Sequence, residues 1–124
     1  MAPSKTVILN AFYDQLITFL GELKEMYPSD PDFLLGLTTI RMLKSVSPML
    51  TLQTFYGNAK DFESEILSKN EQFFLDHSFD HMEDVDFNIL AKLKQYVKGM
   101  SEQSKKNVWV YVQNLYKLAK LVCV

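Results

Sequence analysis

The residues best suited to chemistry sit in one acidic stretch, DHSFDHMEDVD over residues 76–86. His77 and His81 stand four apart with Asp76, Asp80, Glu83, Asp84 and Asp86 around them, and imidazole with carboxylate is a reasonable ligand set for a first-row metal. Four-residue spacing joins two ligands only on a helix, and this stretch lacks the sustained apolar stripe that would make one. Nothing nearby fixes the imidazoles from behind. The HExxH and DxDxDG patterns are also absent. The stretch is read as a solvated acidic loop, with no metal and no cofactor expected.

Other chemistries fare no better. GxSxG, GxxxxGK[ST] and GxGxxG are missing, and the four glycines stand singly. Cys123 has no base placed beside it by the sequence, and as the only cysteine it forms no internal disulfide, which fits a reducing compartment. Glu63 and Glu65 fall on the polar face of a helix rather than forming an acid/base pair. A non-enzymatic protein is expected.

Two constellations remain. The first is basic: Lys92, Lys94, Lys98, Lys105, Lys106, Lys117 and Lys120 supply all seven cations of residues 87–124, against Glu102 alone. Residues 1–86 carry 6 Lys or Arg against 14 Asp or Glu. Either the two parts pack together with complementary fields, or the lysines neutralise the phosphates of a nucleic acid without reading its sequence. With Arg41 the only arginine, base readout is not expected. The second constellation is apolar: Trp109, Tyr111, Tyr116 and Leu118 on the last helix, a surplus of ring surface suited to a protein partner or to a second copy of the chain.

These residues need elements to hold them. A length of 124 residues fits one domain, and 48% hydrophobic with 23% charged residues is ordinary for a globular chain. Residues 101–124 predict the central helix, capped by Ser101, with Glu102 in its first turn. Its polar positions Lys106, Gln113, Lys117 and Lys120 form one narrow stripe that includes Val110, and from Val108 onward nearly everything else is apolar or aromatic. The VWVYV run at 108–112 has strand propensity, but the helical pattern around it prevails.

The other helices are predicted over about 5–26, 31–44, from 48, over about 58–67 and over 87–98, with a short turn at 70–75. Asp30–Pro31 and Ser47–Pro48 each read as an N-cap followed by the residue best tolerated at the first helical position. Phe33, Leu34, Leu37, Ile40, Met42 and Leu43 supply the apolar surface of the second helix. Gly21 is read as a close approach of another helix, and Gly57–Asn58 as a bend or break. The expected fold is all-α: a single-domain bundle of five to six helices with the mostly apolar C-terminal helix at its centre. The N-terminus lacks an apolar run with a small-residue cleavage site, and polar residues break the apolar C-terminal stretch, so neither secretion nor a membrane span is expected.

Three stretches together carry a resemblance: NAFYDQLITFLGELKEMYPSDPDF at 10–33, ILSKNEQFFLDHSFDH at 66–81 and MSEQSKKNVWVYVQNLYKLA at 100–119. The chain resembles small uncharacterised all-helical proteins of giant nucleocytoplasmic DNA viruses of algae and amoebae. In these, an N-terminal helix ends in an aromatic-proline-acidic turn, and a serine-capped helix with an aromatic pair closes the chain. The resemblance implies a setting in the cytoplasm of an infected cell, a viral factory or a virion, and carries no site residue with it. The function expected is a protein-interaction module, an adaptor, scaffold or virion component that also pairs with itself. The alternative is a nucleic-acid-associated protein using the basic C-terminal third.

Overall fold

The computed structural model describes residues 4–76 and 89–123, with side chains described from 92 onward in the second segment. His77, His81, Asp80, Glu83, Asp84 and Asp86 lie outside the described residues, as does most of the predicted acidic loop. The described residues form α1 (Lys5–Met26), α2 (Pro31–Val46), α3 (Pro48–Ala59), a 3-10 turn (Lys60–Phe62), α4 (Glu63–Leu67), α5 (Glu71–Asp76), α6 (Ile89–Val97) and α7 (Glu102–Cys123). Among the described residues there is no strand.

Local chemistry sets most of the boundaries. The Ser4 hydroxyl accepts from the Val7 N–H at 3.2 Å and opens α1, which stops at Tyr27 because Pro28 disfavours helical angles before it. The Asp30 carboxylate accepts from the Asp32 N–H at 2.9 Å and opens α2, with Pro31 in its first turn. Ser101 accepts from the Ser104 N–H at 3.1 Å and opens α7.

Three expectations are corrected. Ser47 makes no side-chain cap at α3, although Pro48 follows it. The Gly57–Asn58 pair does not break α3, which continues to Ala59; the chain turns at the 3-10 segment instead. Gly21 marks no close approach, because a Cβ there would meet nothing within 4 Å.

The α1 and α7 helices run antiparallel. Tyr111 stacks on Phe19 with ring centroids 4.8 Å apart, while Cys123 at the other end of α7 lies within reach of the Lys5 charge. Besides α1, α7 meets α3, where Tyr116 stacks on Tyr56 at 5.7 Å, and α4. On α5, Phe74 meets Trp109 edge-on at 5.0 Å. The C-terminal helix is thus the centre of the bundle, burying Val108, Trp109, Val112, Leu115, Tyr116, Ala119 and Val122 at helical spacing. Opposite them, α1 buries Ile8, Phe12, Tyr13, Leu16, Phe19, Leu20 and Leu23. Each buried ring removes roughly 150–250 Å² from water, so these side chains dominate the core. In contrast, α2 packs chiefly on α1 and α3 rather than on α7.

Candidate interaction surface

The aromatic constellation of α7 is turned inward. Trp109 is 9% exposed and Tyr116 2%, both within the single core, and Leu118 packs partly buried against it. Tyr111 is half-buried, stacked on Phe19, and its hydroxyl donates to Glu22 at 2.8 Å; burial and that carboxylate push its phenol up to about 12. Burial, with Glu63 nearby, raises the Tyr116 phenol as well. The surface expected of these four residues is therefore occupied by the chain's own α1, α3 and α5.

The basic constellation is divided. Lys92 Nζ lies 2.9 Å from Asp30 and 2.6 Å from Asp32, with its ammonium 5.8 Å from the Phe33 ring centroid and 5.9 Å from that of Tyr96. Its helical spacing predicts an outward place; instead α6 presents it to the α1–α2 corner, where Tyr96 stacks on Tyr27 at 4.0 Å. The Tyr96 hydroxyl also donates to Asp30, and this bond, then Lys92, then the Asp32 N–H, hold the Asp30 carboxyl down at about 2. Lys105 pairs with Glu71 at 2.8 Å and Lys120 with Glu63. Each of these three pairs joins the basic third to the acidic part, which is the complementary-field reading. Lys94 lines a small apolar void beside α5. Among the described residues Lys98, Lys106 and Lys117 are exposed and make no ion pair.

Among the described residues, α2 carries four of the exposed large apolar side chains, and the others are spread over α1, α3, α4 and α7. Phe33, Gly36, Leu37 and Ile40 are the buried face of α2. Leu34 and Met42, part of the apolar surface read from the sequence, are 51% and 56% exposed, because one side of α2 is all that α1 and α3 can cover. Leu35 at 63% and Val46 at 75% lie with them, and Leu50 at the start of α3 is 50% exposed. At 100° per residue, Leu35, Thr38, Met42, Ser45 and Val46 share the outward side of α2, and none of them is charged. A solvated helix face normally carries Lys and Glu, so an outward face of this composition stands out. Its sequence signal was present but ambiguous: α2 has apolar residues around more of its circumference than one contact can bury.

Among the described residues no three His, Cys, Asp or Glu side chains gather as a metal-binding group. Among the same residues no helix is long and apolar enough to cross a membrane. No family model, curated protein or solved structure matches the chain.

Proposed function

We propose that the protein is a non-enzymatic interaction module that binds another protein through the outward face of α2. The observation behind this reading is the uncharged face of Leu35, Thr38, Met42, Ser45 and Val46, whose large apolar members stay more than half exposed while every ring of α7 finds a partner inside the chain. Desolvating such a face on a partner is favourable at roughly 25 cal/mol per Å² and needs no charge to be buried. On the resemblance noted above, the setting we propose is an infected cell, its viral factory or the virus particle.

Nucleic-acid association takes second place, since Lys92, Lys105 and Lys120 are held in intramolecular ion pairs and, of the remaining lysines in the basic third, Lys98, Lys106 and Lys117 extend from the surface without one. Affinity capture separates the two. Wild type and the Leu35→Glu/Met42→Glu variant are compared on lysate, with and without nuclease, at low and moderate salt. A stoichiometric protein that survives nuclease and salt on the wild type and is lost on the variant is the expected outcome. Bound material that disappears with nuclease or salt, equally for both, would give the lysines first place.

A further inference from the structure

We propose that α6 is a strap that opens as a unit while α1, α2, α3 and α7 stay folded, and that the clasp of Lys92 and Tyr96 on the α1–α2 corner sets how often it does so. This device is independent of any partner on the α2 face.

The observation that carries it is how unevenly the helices are held. The α1 and α7 helices bury seven side chains each and pack on one another. Among the described side chains of α6, Leu93 and Val97 alone are buried, at 4% and 8% exposure. The apolar seam beneath them is imperfectly filled, since Leu93 and Val97 share a void of about 20 Å³ with Val108, Trp109 and Val112 of α7. The rest of the attachment is polar and aromatic and is gathered at one place. Lys92 reaches Asp30 and Asp32, the Tyr96 hydroxyl donates to Asp30, and the Tyr96 ring lies against Tyr27 and Phe33, with centroids 4.0 and 5.7 Å away. All of those partners fall within residues 27–33.

Such an arrangement divides the stability of the domain. Parting α1 from α7 exposes the whole core, whereas parting α6 exposes two buried side chains and one half-buried ring. A charged clasp adds less than its contacts suggest, because Lys92 and both carboxylates regain water when it opens. It is also conditional on Lys92, without which Asp30 and Asp32 lose their shared cation. Release is tethered, since Met100, just beyond α6, is itself buried at 8% exposure and holds the chain to the body. What release uncovers is the Val108, Trp109 and Val112 side of α7, which the strap otherwise shields.

The test is native-state hydrogen exchange of the full chain, read by NMR over a series of urea concentrations below the unfolding transition. The amides of Leu93 to Val97 are expected to share one opening equilibrium, at least about a hundredfold more populated than the opening that exposes the slowest amides of α1 and α7. Its urea slope should be shallow but measurable, against a steep slope for α1 and α7. Lys92→Gln should raise the α6 opening by at least about tenfold, by one factor from Leu93 to Val97. The same factor should appear in α1 and α7, leaving their distance from α6 unchanged, because the clasp belongs to the closed form alone. If the α6 amides fall on the steep slope of α7, the helix opens only with the whole domain and the proposal is overturned. Graded exchange along α6 without a urea slope overturns it as fraying from one end, and so does an α6 that ignores Lys92→Gln. If Lys92→Gln does not fold, the wild-type slopes decide alone.

Discussion

Lys92 of α6 lies 2.9 Å from Asp30 at the N-terminus of α2, across 62 residues of sequence. The Lys92 and Asp30 side chains are 14% and 11% exposed, so solvent screens the pair less than it screens an ordinary surface bridge. Asp30 therefore has two tasks, capping α2 through the Asp32 N–H and anchoring α6 through Lys92 and Tyr96. The bridges from Lys105 to Glu71 and from Lys120 to Glu63 repeat this pattern along α7, so part of the charge asymmetry of the sequence is met within the domain.

Acid should release that anchor. The Asp30 carboxyl is depressed from 3.8 to about 2, so its stabilising effect is fully present above pH 3.8 and lost as the pH falls through about 2. Asp30→Asn retains a capping side chain and removes the charge. Its melting temperature should lie below wild type at neutral pH and converge with it near pH 2; a constant gap across that range would contradict the assignment.

Gly21 lies inside α1 with open space where a Cβ would stand. Gly21→Ala should stabilise the fold by about 1 kcal/mol, through helix propensity and a less mobile unfolded chain. Urea unfolding measures it, and a loss of stability would mean that something does approach this position.

Lys69 ends α4 in the left-handed region at φ 57°, where the Asn70 N–H bonds back to the Glu65 carbonyl at 3.0 Å. A Cβ is unfavourable in that conformation by roughly 1–2 kcal/mol. Lys69→Gly is expected to gain about 0.5–1 kcal/mol despite its freer unfolded state, and Lys69→Val to lose a comparable amount, both read from chemical denaturation.

Beside Trp109, a void of about 20 Å³ is bounded by Phe74, Leu93, Val97, Val108 and Val112. Val112→Ile adds one methylene toward it and should gain up to about 0.8 kcal/mol. If the mutant is less stable instead, the void has the wrong shape for the added atom.

Trp109→Ala separates a core role from a docking role. Truncating a buried tryptophan costs about 3–5 kcal/mol, so the variant should unfold far more readily. A variant as stable as wild type would return Trp109 to the candidate contact residues.

What was legible in the sequence is what the chain decides locally. Ser4, Asp30–Pro31 and Ser101 open helices because their side chains satisfy backbone groups two or three residues away, and Pro28 stops α1 because its ring constrains the residue before it. The apolar breadth of α7 likewise predicted a helix surrounded by others, and it is.

The sequence by itself determined the all-α class, most helix starts and the central place of the last helix, since these depend on periodicity and on contacts within one turn. Only the tertiary structure decided that Trp109 and Tyr116 face inward while Leu34 and Met42 face out, and that Lys92 folds onto Asp30 while Lys117 does not. Those outcomes depend on which faces meet when helices distant in sequence cross. Gln113 is a last example: placed by its spacing in the polar stripe of α7, it donates instead to the Ile66 and Leu67 carbonyls, both at 3.1 Å, at the end of α4. The periodicity of one helix says which side chains are polar, but the neighbour that satisfies them arrives from elsewhere in the chain.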